Sequence, residues 1–343
     1  MKDFEIIKKL VSFNTIKDKE NVQIMNYIED YLIGLGFKTE IKTKNLVMSI
    51  GENPKLGFLG HTDTVMYTNE FIDPFNVKIK DNKLYGLGVC DMKGGIAAML
   101  DALSEIDFTK LKYGMKLYFT YDEEIGFNGT FDLVNTDERF PEYMIFGEPT
   151  YNELFVGSKG LVEYDVKFRG KKAHSSNPSI GIDANMNCVK FIYELNEFYE
   201  KEIKSNENNI FEIPYTTMNV GVINGGIEKN SISDNCDITI DFRPVYKEQI
   251  QKFKNELNKL AKKYNANIID IVEIQPFTNE IEFIKDMKTT NFITEASIVD
   301  DKVKKIILGV GPITAHEVNE NITIDSYNKL IEQYKDLIYE ILG

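Results

Sequence analysis

The 343-residue chain contains only three histidines, and each sits in a short segment that chemistry can use: Gly60-His61-Thr62-Asp63, Ala173-His174-Ser175-Ser176 and Ala315-His316-Glu317. Asp91, the doublet Glu123-Glu124 and Glu148 accompany the first and last of them, all near the ends of apolar runs. Two imidazoles with several carboxylates form a mixed nitrogen and oxygen donor set, which suits zinc in a hydrolytic two-metal centre. Each residue also has an ordinary explanation. His61 and Asp63 alternate along an extended segment, so a strict strand points both to one side. That suits a ligating imidazole with an orienting carboxylate, and equally a packed histidine at a strand end. Asp91, in YGLGVCDMKGG, reads as a helix N-cap or as a carboxylate bridging ions about 3.5–4 Å apart. The glycines before it fail the third-glycine spacing of a dinucleotide loop and no Gly-Lys-Ser/Thr follows, so a nucleotide loop is rejected.

Asp122-Glu123-Glu124 is a run of three acids whose mutual repulsion calls for cations or for solvent. If cations are present, one Glu binds metal and the other accepts a proton from water whose pKa falls to about 7. Glu148, in FGEPT, precedes a proline at the end of an apolar run, and His316, in GPITAHEVNE, lies in a loop with Gly311 and Pro312. His174 among small hydroxyl residues suits donation to a developing oxyanion, or is a turn histidine. Asn230 and Arg243 stand at strand ends where a substrate carboxylate would be held, Arg243 by its bidentate fork. An exposed surface arginine is the plainer reading of Arg243.

The elements that must position these groups follow from periodicity. Helices are expected over 3–13 and about 19–35, the second broken by Gly34 and Gly36. Strand-like runs FKTEIK, NLVMSI and LGFLG come next, the last ending at His61. KLYGLG precedes Asp91, and the apolar helix GGIAAMLDALSEI follows it; MKLYFTY stops before Asp122 and EYMIFG before Glu148. Strands alternating with helices predict an α/β sheet covered on both faces, with functional groups gathered beyond the carboxyl ends of strands. From about 158 the pattern changes to strand, helix, two strands, helix and strand, the split βαβ (ferredoxin-like) order of a small α+β domain. Because His316 must join the N-terminal ligands, residues 158–274 read as an insertion into a discontinuous catalytic domain of 1–157 and 275–343.

Bulk properties set the frame. The length exceeds what one core usually organises, so two domains are expected. With 40 basic against 54 acidic residues the net charge is −14, which disfavours nucleic acid as a partner. Cys90, Cys188 and Cys236 lack CxxC spacing, so neither a disulfide framework nor a thiolate site is suggested. The amphipathic start is unlike a signal peptide and no run approaches a membrane span, so no membrane is expected and the cytoplasm is the default location.

In order, GHTDTV, YGLGVCDMKGG, YDEEIG, GEPT, GKKAHSSNPSIG, the GG…N…DFRP stretch and AHEVNE make nearly the whole chain resemble one family. It is the di-zinc aminoacylase and carboxypeptidase family of metallopeptidases, of the acetylornithine deacetylase and succinyl-diaminopimelate desuccinylase type. The resemblance implies two divalent ions, zinc with cobalt as an option, and no presumed ligand departs from the pattern. His61, Asp91 and Glu148 would hold one ion and Asp91, Glu124 and His316 the other. It implies Glu123 as general base and then general acid, Asp63 as the partner of His61, and a cis peptide at Asp91-Met92. The insertion looks like a lid that also forms a homodimer, with His174 reaching the active site of the other subunit and Asn230 and Arg243 contacting substrate.

Within the family, GEPT, the PYTTMNVGVING…DFRP stretch and TEAS at 294–297 are most similar to acetylornithine deacetylase. Glu295 is therefore expected to border the substrate pocket. The expected reaction removes an acetyl group from an N-acyl amino acid such as acetylornithine, by attack of water that the ions acidify. A desuccinylase is the near alternative, its extra carboxylate calling for Lys159, Lys171 or Lys172; a dipeptidase or aminopeptidase acting on short peptides is another. The alternative from a different class is a non-catalytic amino-acid-binding protein with weak metal content.

Overall fold

Leu56–His61 is buried at all six positions, which a strand tolerates only when both faces of its sheet are covered. A computed structural model describes residues 4–16 and 21–343; residues 3, 19 and 20 of the expected N-terminal helices lie outside them. Leu56–His61 runs parallel to Met115–Thr120 on one side and to Tyr143–Phe146 on the other. Lys304–Ile307 extends the parallel set beside Tyr143–Phe146. The antiparallel hairpin Lys38–Lys42 and Leu46–Ile50 pairs with Met115–Thr120, so the sheet is mixed. Helices Lys93–Ser104 and Ile324–Leu342 pack on each other and on the central strand, and Glu5–Ser12 packs on Lys93–Ser104. Their apolar stripes supply Ile7, Leu10, Ile96, Leu100, Leu330 and Tyr334 to one core.

The parallel strands all end at the same edge, which brings His61, the residues after Thr120 and the residues after Phe146 together. The glycine pair at the start of Lys93–Ser104 has a packing cause. A Cβ on Gly95 would collide with the carbonyl oxygen of Gly147, and one on Gly94 with that of Val89. The helix therefore sits directly against the backbone that leads into Glu148.

This first unit comprises residues 1–156, 279–288 and 294–343. The second comprises Gly157–Thr278 together with Thr289–Ile293. Its antiparallel sheet has the order Thr217–Gly225, Asn235–Arg243, Leu161–Arg169 and Ala266–Ile274. Alternate residues of Leu161–Arg169 and Asn235–Arg243 are buried, as a sheet with one packed face requires. Helices Ala184–Phe198 and Lys247–Lys263 fill that face, with Phe168, Phe191, Phe242 and Phe253 at the centre. Asp183 caps the first helix by accepting the Met186 N–H. The second unit reaches past residue 274 because Phe277 and Thr278 pair with Ser158 and Gly157. It also takes a later segment, since the Thr290 carbonyl accepts the Lys159 N–H at 3.1 Å. Among the described residues no helix is long and apolar enough to cross a membrane.

Replacing Gly95 by alanine should destabilise the first unit by about 1–3 kcal/mol, as overpacking against backbone usually does. Urea denaturation checks this; an unchanged midpoint would contradict the close approach.

Candidate active site

His61 is the last residue of its strand and is fully buried. Its Nδ1 lies 3.1 Å from the backbone oxygen of Asp63 and 3.6 Å from Asp63 Oδ1. A carbonyl can only accept, so in the neutral ring Nδ1 carries the proton and Nε2 presents its lone pair. That Nε2 is 3.1 Å from Asp91 Oδ1 and 4.0 Å from both Glu123 Oε2 and Glu148 Oε1. The Asp63 carboxylate is committed elsewhere: Oδ1 accepts the Glu123 N–H and Oδ2 the Glu124 N–H, both at 3.2 Å. Asp63 thus partners His61 chiefly through its carbonyl, while its side chain fixes the backbone of the acid pair.

Asp91 does not cap the helix that follows; Met92 occupies the cap position and no side chain bonds there. The Asp91-Met92 peptide is cis. The two carboxylate oxygens of Asp91 face different imidazoles, Oδ1 toward His61 and Oδ2 toward His316 Nε2 at 3.5 Å. His316 Nε2 is also 3.3 Å from Glu124 Oε2. The acids after Thr120 are no solvated turn: the Glu123 and Glu124 side chains are 14% and 8% exposed. His61, Asp91, Glu123, Glu124, Glu148 and His316 are therefore brought together by the first unit alone.

The charges in this pocket oppose one another strongly. Burial alone would push the His61 imidazole down, yet Glu123, Asp63, Asp91 and Glu148 together hold it well above its ordinary 6.5. His316, bonded to Asp91 and Glu124, is raised to about 10. Burial, with repulsion from Asp91, pushes Glu123 and Glu148 well above the usual carboxylate range, against the pull of His61. Asp91 goes the other way, because His316 and His61 outweigh its burial. The site thus retains protons wherever no other cation neutralises it.

A metal fits here on two observations. Ligand atoms of His61, Asp91 and Glu124 lie within 4.8 Å of one another, as do those of His61, Glu123 and Glu148. Glu124 Oε1 and Glu148 Oε1 are buried without a hydrogen-bond partner, a costly state for a carboxylate unless something binds it.

The remaining expected residues fall elsewhere. Glu295, expected at the border of a substrate pocket, is sealed in the interior, 1% exposed. Its Oε1 accepts the hydroxyls of Thr120, at 2.7 Å, and Thr130, the two residues that flank the acid turn. Burial raises its carboxyl to about 7. His174 is exposed on the second unit, where its Nδ1 accepts the Ser176 N–H at 3.2 Å, leaving Nε2 as the donor of the neutral ring. The Asn230 carbonyl is beside it, accepting the Ser175 N–H at 2.9 Å. The fork of Arg243 is already engaged, with Nε 2.9 Å from Asp241 Oδ1 and Nη2 2.8 Å from Oδ2. Lys159 is buried and donates to the Tyr215 carbonyl at 2.8 Å, so it is not a free cation for a succinyl tail.

Two residues escaped the sequence reading. Glu320, 2% exposed, accepts the N–H groups of Gly88, Cys90 and Asp91. Lys93, with no exposure, donates to the Phe13 carbonyl at 2.8 Å. Burial lowers its ammonium to about 7 against the pull of Glu320 and Asp63. The available signal was position: Glu320 closes the AHEVNE segment of His316, and Lys93 follows Asp91 by two.

A family model, peptidase family M20/M25/M40, matches residues 57–340. The chain belongs to this family. It is 31% identical over 370 residues to an acetylornithine deacetylase of Photorhabdus laumondii, covering 97% of this chain and 96% of the relative. A Vibrio parahaemolyticus acetylornithine deacetylase is 29% identical, with 96% and 95% covered. A tripeptidase of Staphylococcus aureus has the same fold, with a TM-score of 0.81 at 22% identity and 98% and 97% of the two chains covered. As a member of peptidase family M20/M25/M40 the chain is a metal-dependent hydrolase of amide or peptide bonds.

The proton-holding groups fix how stability depends on pH. Glu123, Glu148, His61 and His316 all bind protons more tightly folded than unfolded. Stability of the chelated protein therefore falls as pH rises above their unfolded values, about 4.3 for Glu and 6.5 for His. Asp63 and Asp91, shifted down, act with the opposite sign only below their unfolded value of about 3.9. Lys93, lowered to about 7, opposes the fall above pH 7, while Glu295 and Glu320, each raised to about 7, add to it. Chelated protein should thus melt at a lower temperature near pH 8 than near pH 5.5, and zinc should remove most of the difference by replacing the protons. A melting temperature that climbs with pH in the chelated protein would contradict the assignment.

Proposed function

We propose that the chain is a two-metal amidohydrolase that removes the acetyl group from an N-acetylated amino acid such as N-acetylornithine. The observation that carries the two-metal reading is Asp91, whose two oxygens face different imidazoles, 3.1 Å from His61 and 3.5 Å from His316. By the family resemblance His61, Asp91 and Glu148 would hold one ion, and Asp91, Glu124 and His316 the other, with zinc the favoured metal and cobalt an option for this imidazole and carboxylate set. When bound, the pair supplies Lewis acidity that lowers the pKa of water and polarises the scissile carbonyl.

The remaining steps belong to the protein. The family resemblance gives Glu123 as the base, and the Asp63 side chain holds its backbone. It takes a proton from the attacking water and returns it to the leaving amine. In the proposed homodimer His174 would reach the active site of the other subunit and donate to the oxyanion through Nε2–H, and Asn230 would contact substrate. Arg243 joins them only by sharing its fork with Asp241. The acetyl specificity is supported by relatives named acetylornithine deacetylase that match nearly end to end. Of the three lysines a desuccinylase could call on, Lys159 is engaged while Lys171 and Lys172 are exposed, so a desuccinylase stays the near alternative.

A homodimer formed by the second unit is part of the proposal. Its edge strand Thr217–Gly225 leaves Val222 and Ile223 55% and 61% exposed. The helix Ala184–Phe198 leaves Met186, Val189 and Tyr193 exposed on one stripe. Exposed apolar edges of this kind are normally covered.

Steady-state kcat/KM on acetylornithine, succinyl-diaminopimelate and a dipeptide panel should favour acetylornithine by about tenfold or more, the scale on which pockets separate near neighbours. Equal or reversed preference would refute the substrate assignment. Glu123→Gln should lower kcat by about 10²–10⁴ with metal content unchanged; near-normal turnover would remove Glu123 as the base.

A further inference from the structure

We propose that Glu320 is a positioning residue that sets how tightly the ion shared by Asp91, Glu124 and His316 is held, an inference that rests on the two-ion reading. Glu320 Oε1 accepts the N–H groups of Cys90 at 2.7 Å and Asp91 at 3.0 Å, and Oε2 accepts that of Gly88 at 2.7 Å. The Glu320 carbonyl also accepts the Gly86 N–H at 3.2 Å. One buried side chain therefore gathers the turn that ends in Asp91. Hydrogen bonds from N–H to a carboxylate are the strong, short kind, and leaving such donors unpaired in the interior is costly.

Glu320 belongs to the same loop as His316. Thr314 closes that loop, its hydroxyl donating to the Asn321 carbonyl at 2.7 Å and accepting the Asn321 N–H at 2.9 Å. Within it the Glu317 N–H bonds to the Thr314 carbonyl and the Glu320 N–H to the Glu317 carbonyl, both at 3.2 Å. Asp91 and His316, which come from distant parts of the chain, are thus tied to one hydrogen-bonded piece. The tie matters unequally for the two ions. The His61 ring has no exposure and ends the central strand, whereas the His316 side chain is 55% exposed. Packing fixes the first imidazole; the second depends on its loop, which Glu320 joins to Asp91.

The test uses Glu320→Gln. Glutamine keeps one acceptor oxygen but turns an N–H₂ donor toward a backbone N–H. Zinc titration calorimetry on chelated protein should show the wild type taking two ions. In E320Q the second should bind about 10–100-fold more weakly, the usual effect of losing an outer-shell partner, with the first changed only a few-fold. Excess zinc should then restore most of kcat without moving KM. If E320Q does not fold, Thr314→Val loosens the other end of the loop and should weaken the second ion in the same way. Unchanged affinity for both ions in a folded variant, or equal weakening of both, overturns the inference. A wild type that takes fewer than two ions fails the two-ion reading itself, and the inference with it.

Discussion

Crowding of like charge in a buried pocket is the constraint on which the rest of the structure depends. Asp91, Glu123 and Glu148 all lie within 4.0 Å of one imidazole nitrogen of His61, and Glu124 shares His316 with Asp91. Such a cluster is unfavourable unless protons or metal ions neutralise it. It also cannot be left to hold its own shape, because repulsion would spread the loops that carry it. Carboxylates that face away from the cluster do the holding: Asp63 by two backbone N–H groups of the acid turn, Glu320 by three before and at Asp91. Glu295 acts on the same turn from beneath, through the hydroxyls of Thr120 and Thr130. The carboxylates proposed as ligands and those that anchor the turns are the same chemical group in two roles, separated by whether backbone or hydroxyl donors of the turns engage them.

The fold supplies the convergence. Parallel strands that end at one edge deliver His61, the acid turn and Glu148 to one place without long excursions, as α/β sheets do generally. The tight seat of Lys93–Ser104 against Gly147 brings the Asp91 turn to the same edge. The C-terminal loop returns His316 and Glu320 to it, and the strand Asn321–Thr323 pairs with Lys83–Tyr85 just before that turn. The second unit is built on a separate core.

Much of this was legible in the residues. The strand runs that end at His61, Asp122 and Glu148 are visible as apolar stretches stopping at acids, because a buried parallel strand must be apolar throughout. What the sequence could not show was which neighbour consumes a side chain. Glu320 looks like a solvent-facing loop acid; its burial depends on a turn some 230 residues earlier in the chain. Glu295 sits in a short polar segment, and only the tertiary fold places it under the threonines. Asp91 resembles a helix cap by position, but the backbone there hands that place to Met92. Arg243 is a different case. Asp241 lies two residues before it on a strand, hence on the same face, and their pairing could have been read from DFRP itself.

The most direct test of the two-metal centre is anomalous diffraction from crystals grown with zinc, collected on either side of the zinc absorption edge. Two peaks about 3.5–4 Å apart, on either side of Asp91, one nearest His61 and one nearest His316, are the predicted result. A single peak, or zinc bound away from Asp91, would contradict the account.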